Sequence, residues 1–129
     1  MIYLDSSVVL ARLFAEAASP TEQFWAQRFT SSRLLDYEVM NRVNLRAGIA
    51  GLADNARAII DRVELVDLSP IVLALALAPY PVAVKTLDGL HLATMHHLRA
   101  SGQSFRLASY DWRLVAAASA IGVAIETGL

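Results

Sequence analysis

At 129 residues, 56% of them hydrophobic and with a mean hydropathy of +0.45, the chain is long enough to bury a core and too apolar to be disordered. A formal net charge of −1 and a pI near 6.3 exclude a bulk cationic field, so a nucleic-acid partner would have to meet a local patch. Cysteine is absent, which excludes disulfides and thiolate metal sites, fits a cytoplasmic protein, and leaves any metal to oxygen ligands or to His91, His96 and His97.

Ile2, Tyr3 and Leu4 form a short apolar run suited to a buried strand. Asp5 stands where that run stops, and Ser6 or Ser7 caps a helix over Val8 to Phe14. Ser19-Pro20-Thr21-Glu22 reads as a capping box with proline at the first helical position, opening a helix through Phe24, Trp25 and Phe29. Thr30 to Ser32 is either a very short strand or a cap. Leu35, Val39 and Val43 then recur every four residues, with Leu34, Glu38, Arg42 and Arg46 along the neighbouring row, which predicts an amphipathic helix ended by Gly48 and Gly51. A further helix is expected over Ala53 to Val63, followed by an alternating strand over Glu64 to Leu68.

Ser69-Pro70 starts a short helix, Ile71 to Ala78, and Pro79-Tyr80-Pro81 breaks the chain without being long enough to link two domains. The expectation is therefore one domain over residues 1–129. Thr86 caps the next helix, which runs to about Ala100 and is closed by Ser101-Gly102. Phe105 to Ser109 reads as a strand, Trp112 to Ile121 as a helix with Gly122 just past its end, and Val123 to Glu126 as a last strand. Strand and helix alternate almost throughout, which predicts an α/β three-layer sandwich with a mostly parallel central sheet flanked by helices. The longest apolar runs fall well short of a membrane span of roughly 20 residues, and with no basic stretch and apolar run ahead of the first strand no signal peptide is expected.

Asp5, Asp88 and Asp111 share a setting: each lies where a short connection gathers at one sheet edge, and Glu38 lies on a helix face beside Leu35 and Val39. Each has a plain structural account, as a helix cap, a favourable first-turn charge or, for Glu38, the partner of Arg42 one turn on. Together they read differently. Acids within roughly 4 to 6 Å of one another repel by about 4 kcal/mol per pair at an effective dielectric near 20, so such a cluster requires cations. Oxygen-only ligands select Mg²⁺ or Mn²⁺, ions that lower the pKa of a water and clamp a phosphodiester.

The segments Ile2-Tyr3-Leu4-Asp5-Ser6-Ser7, Leu35-Asp36-Tyr37-Glu38-Val39-Met40, Lys85-Thr86-Leu87-Asp88-Gly89-Leu90-His91-Leu92-Ala93-Thr94 and Ser109-Tyr110-Asp111-Trp112-Arg113-Leu114 resemble the four acidic motifs of PIN-domain ribonucleases. Among these the chain is most similar to VapC-type toxins of bacterial toxin–antitoxin pairs, in size, motif order and α/β pattern. The resemblance implies a Mg²⁺-dependent endoribonuclease, with Mn²⁺ as a substitute ion, cutting RNA by metal-activated water. It makes Asp5, Glu38, Asp88 and Asp111 the metal-binding acids: Asp5 and Asp88 direct ligands, Glu38 acting through water, Asp111 completing a second, weaker site. Ser6 and Ser109 resemble the hydroxyl residues that orient such acids. His91, three residues after Asp88, is placed to hold that carboxylate or to be a buried, satisfied histidine, and Arg42, Arg46 and Arg113 to meet phosphate. Gly89 departs from the alanine commoner at that position.

The resemblance also implies a homodimer and a cognate antitoxin whose tail covers the site. Leu10, Leu13, Phe14, Phe24, Trp25 and Phe29 offer either an apolar patch for such contacts or simply core. Two rival readings are a phosphotransfer domain with a phosphorylatable Asp5, and a non-enzymatic α/β interaction module whose acids are caps and surface pairs.

Overall fold

Ile2, Tyr3 and Leu4 are fully buried, as a strand covered on both faces must be. They form β1 (Ile2–Leu4) of a four-stranded sheet completed by β2 (Phe29–Ser32), β3 (Val63–Val66) and β4 (Arg106–Ala108). The order is β3-β2-β1-β4 and every pair is parallel, so the fold is the expected α/β architecture. The computed structural model describes residues 1–46 and 48–129; Gly48, with a left-handed φ of +106°, lies beyond the helix that ends at Asn44, and Gly51 is the N-cap of the helix that follows.

Alternate residues of the strands feed two cores. Ile2, Leu4, Phe29, Val63 and Ala108 pack under α1 (Ser6–Leu13), α2 (Glu22–Trp25), α3 (Leu34–Asn44) and α4 (Leu52–Ile60). Tyr3 and Leu107 pack with α6 (Thr86–Ala100) and α7 (Trp112–Ala120), and α5 (Pro70–Ala76) lies against α6. Helices thus cover both faces of the sheet. Among the described residues no helix is long and apolar enough to cross a membrane.

Several local expectations give way to sheet pairing. The helix read through Phe29 stops at Trp25, and Ser19 caps nothing: Thr21 is the N-cap, with no side-chain hydrogen bond. Phe29 instead opens β2, paired with both Ile2 and Val63. Its ring packs 5.4 Å from Phe24 and 5.5 Å from Trp25, an aromatic cluster that a continuous helix would splay apart. Of the two readings of Thr30 to Ser32, the strand is the one formed. Val63 likewise leaves α4, which ends at Ile60, to begin β3, and β3 stops at Val66 rather than Leu68. Lys85, not Thr86, is the N-cap of α6. The last expected strand shrinks to one parallel bridge, Leu107 to Ile125. It is held by 2.8 Å bonds from the Leu107 N–H to the Ala124 carbonyl and from the Glu126 N–H to the Leu107 carbonyl. With only three residues in β4, that edge offers little more to pair with.

The apolar residues of the first two helices are core. Leu10, Phe24, Trp25 and Phe29 are buried, and the partly buried Leu13 and Phe14 pack against them. Large exposed apolar side chains lie elsewhere, among them Ile71 and Leu73 on α5, Leu77 at its C-cap, and Trp112.

Candidate active site

β1 and β4 are neighbours, but the chain leaves them in opposite directions, from β1 into α1 on one face and from β4 into α7 on the other. This is a topological switch point, where diverging connections leave a crevice beyond the carboxyl ends of the strands. Asp5 follows β1 there, and Ser109 and Asp111 follow β4.

Asp5 is only 5% exposed. Its Oδ2 accepts from the Ser7 N–H at 3.3 Å, the Ser7 hydroxyl at 2.5 Å and the Ser109 hydroxyl at 2.8 Å. Each hydroxyl spends its one proton on Asp5 and accepts in turn, Ser7 from the Tyr110 N–H and Ser109 from the Asp111 N–H, both at 2.9 Å. The loops after β1 and β4 are thereby stitched through one carboxylate oxygen. Asp5 Oδ1 has no hydrogen bond among the described residues. Asp5 itself, rather than Ser6 or Ser7, is the N-cap of α1. Ser7 does the work expected of Ser6, and its position two residues after an acid, typical of hydroxyl turns, was the available signal.

Glu38 projects from α3 with its side chain 19% exposed, and its Oε1 accepts from Nε2 of the buried His91 at 2.6 Å. The other ring nitrogen, Nδ1, lies 2.7 Å from the Tyr3 hydroxyl, which also accepts from the Ser32 N–H at 3.2 Å. His91 therefore holds Glu38, not Asp88, and Glu38 has a histidine rather than Arg42 as its partner. Burial opposes protonation of His91, but the Glu38 hydrogen bond and the charges of Glu38, Asp5 and Asp88 together outweigh it and hold the imidazole above its ordinary range. Burial pushes the Tyr3 hydroxyl far up. Tyr3 had no sequence signal for this role, because only the stacking of α6 on the sheet brings His91 to it.

Asp88 lies in the first turn of α6. Burial raises its pKa, and the charges of Asp111, Asp5 and Glu38 raise it further, with His91 opposing them. Asp111 caps α7, accepting from the Arg113 N–H at 3.0 Å and the Leu114 N–H at 3.4 Å. Glu38, Asp88 and Asp111 line one cleft of about 570 Å³ with Lys85, Trp112 and Arg113. Lys85 and Trp112 were not foreseen. Arg113 is at the cleft as expected, whereas Arg46 lies over the Phe14 ring at 5.0 Å, and Arg42 is exposed on α3 outside the cleft lining. Asp36 pairs with Arg57 at 3.0 Å, so Glu38 is the acid of this segment that reaches the cleft. At Gly89 an added Cβ would meet only Val84 Cγ2 at 3.6 Å, an ordinary contact that alanine would accept.

The four carboxylates bear on one another without converging. Among the described residues no three His, Asp or Glu groups are close enough together to hold an ion as they stand, yet Asp88 feels the other three acids. In donor type and charge the set fits a hard divalent cation, while its spacing is more open than direct ligation by three of them requires. Ion pairing does not relieve the repulsion, since among the described residues Asp5, Asp88 and Asp111 make no salt bridge.

No protein-family model matches the chain. It is similar to Ribonuclease VapC47 of Mycobacterium tuberculosis, with 28% identity over 129 residues covering 95% of this chain and 93% of that protein.

Proposed function

We propose that the chain is a Mg²⁺-dependent endoribonuclease of the PIN class, the toxin of a type II toxin–antitoxin pair. The observation that carries this reading is the placement of the acids: Glu38, Asp88 and Asp111 line one cleft, and burial together with the charges of Asp111, Asp5 and Glu38 raises the Asp88 carboxyl above its ordinary value. The end-to-end similarity to a ribonuclease supports it. In this reading Asp5 and Asp88 hold the ion directly, Asp5 through its free Oδ1, while Glu38 and Asp111 complete the shell. When bound, Mg²⁺, or Mn²⁺ in its place, neutralises the cluster and supplies the Lewis acidity that phosphodiester hydrolysis uses. Ser7 and Ser109 fix the orientation of Asp5, and His91, backed by Tyr3, fixes that of Glu38. Lys85 and Arg113 meet the phosphates of the RNA. A cognate antitoxin covering the cleft and a homodimer complete the proposal, and such a toxin acts on RNA in the cytoplasm.

The test is cleavage of total cellular RNA by purified protein with Mg²⁺, with Mn²⁺ and with EDTA, alongside Asp5→Ala and Asp88→Ala. Cleavage that needs the ion and is lost in both variants is expected. Full metal-dependent cleavage by either variant would overturn the reading.

A further inference from the structure

Trp112 is 71% exposed, although it sits in the first turn of α7 directly after the Asp111 cap. It lines a second cleft, of about 470 Å³, with Val82, Val84, Lys85, Asp88 and Arg113. That volume is within the roughly 300–1,000 Å³ of small-ligand sites. The two clefts share Lys85, Asp88, Trp112 and Arg113, so the apolar space opens directly onto the acids.

The cations of this wall differ from most others in the chain. Arg12, Arg28, Arg33, Arg57 and Arg106 each meet a carboxylate, and Arg62 and Arg99 each donate to a backbone carbonyl. Among the described residues Lys85 and Arg113 form no salt bridge, although Glu38, Asp88 and Asp111 line the same cleft. Arg113 lies over the Trp112 ring at 5.3 Å from its centroid, presenting an indole and a guanidinium together. An exposed aromatic face beside two cations not tied up in salt bridges is what single-stranded nucleic acid uses: bases stack on the ring, and the backbone tracks the positive charge. In a duplex those base faces are already stacked on their neighbours.

We propose that the Trp112 cleft is a base-stacking subsite for single-stranded RNA. A base lies on the Trp112 indole, Lys85 and Arg113 take the phosphates flanking it, and the adjoining phosphodiester is thereby directed to Asp88. The subsite rests on the ribonuclease reading above and adds to it a positioning residue, Trp112.

The test is binding of an end-labelled, random-sequence single-stranded RNA of about 12 nucleotides, in EDTA at low salt, by anisotropy and tryptophan emission. Trp25 is buried at 3% exposure, so solvent-facing emission reports Trp112. Quenching of that emission is expected, with Trp112→Ala weakening affinity about 5- to 150-fold and Trp112→Phe retaining most of it. Lys85→Ala and Arg113→Ala should each reduce the slope of log affinity against log salt by about 0.7. Circular dichroism equal to wild type establishes that the exposed substitutions leave the fold intact.

Wild-type affinity in Trp112→Ala, an unquenched indole, or equal binding of a duplex of the same length would overturn the proposal. So would a concentration-dependent dimer abolished by Trp112→Ala, which would assign the cleft to a second copy of the chain. Cleavage of the same RNA with Mg²⁺ separates the two readings. Equal cutting by wild type and Trp112→Ala removes the subsite and leaves the ribonuclease, whereas RNA bound on Trp112 but never cut with either ion removes the ribonuclease.

Discussion

Two populations of acids divide this molecule. Around the periphery Glu22, Asp36, Glu64, Asp67 and Glu126 each meet an arginine at 2.8 to 3.0 Å. At the switch point Asp5, Glu38 and Asp111 meet hydroxyls, backbone N–H groups and one imidazole, the Asp88 carboxylate has no hydrogen bond among the described residues, and none of the four meets an arginine among them. Pairs at the surface contribute about 0–1 kcal/mol each, so that region has settled its own charge. The hydrogen bonds of Asp5, Glu38 and Asp111 orient those carboxylates without cancelling their charge, and protonation or a bound cation would relieve the remaining repulsion on Asp88.

The largest expected effect lies in that contrast. Asp88→Asn should lower metal-dependent RNA cleavage by roughly 10²- to 10³-fold, the scale of losing one charge-stabilising group, whereas Asp36→Asn should leave initial rates within a factor of about two, being outside the cleft. Equal losses in the two variants would erase the distinction. Next comes the metal itself. At Mg²⁺ near 100 times its dissociation constant, wild type should gain about 2.7 kcal/mol in thermal unfolding, and EDTA should reverse the gain. Asp88→Asn should be more stable than wild type without metal and respond less to it, because one of the repelling charges is gone.

His91 offers a finer cut, since it belongs to the cleft without lining it. His91→Gln should reduce activity or metal affinity about 10- to 100-fold, the usual cost of losing a group that orients a ligand. Its folded pKa is raised, so the stability from its pairing with Glu38 is fully present below the ordinary histidine range and is lost as pH rises through the folded value. Asp88, also raised, acts in the same direction from the carboxylate range upward. Metal-free denaturant titrations across this span should show stability falling with pH in wild type and a flatter profile in His91→Gln. The smallest effect belongs to the periphery: Arg57→Ala should cost no more than about 1 kcal/mol, with the Mg²⁺ response unchanged.

Much of this was readable without coordinates. The buried run Ile2 to Leu4, the four-residue spacing of Leu35, Val39 and Val43, and the cap-then-proline start at Ser69-Pro70 each fixed an element, because hydrophobic period and capping are local properties. The same rules failed at Ser19 to Phe29 and at Val63, where a helical signal ran into residues that two neighbouring strands required. They also failed at Val123 to Glu126, where a strand-like sequence met an edge with room for one bridge. Elements that depend on pairing partners far along the chain carry no local mark of them.

The site divides along the same line. The sequence by itself determined which side chains carry charge, that Asp5, Asp88 and Asp111 stand where strands end or helices begin, and that no thiol is available among them. Only the tertiary structure decided that Ser7 rather than Ser6 holds Asp5, that His91 serves Glu38 rather than the nearer Asp88, and that Lys85 and Trp112 share the cleft with the acids. These are contacts between residues brought together by the stacking of α3, α6 and α7 around the ends of β1 and β4. Charge and capping belong to a residue and its immediate neighbours, whereas a hydrogen bond between His91 and Glu38 belongs to two helices and exists only once the sheet has packed them.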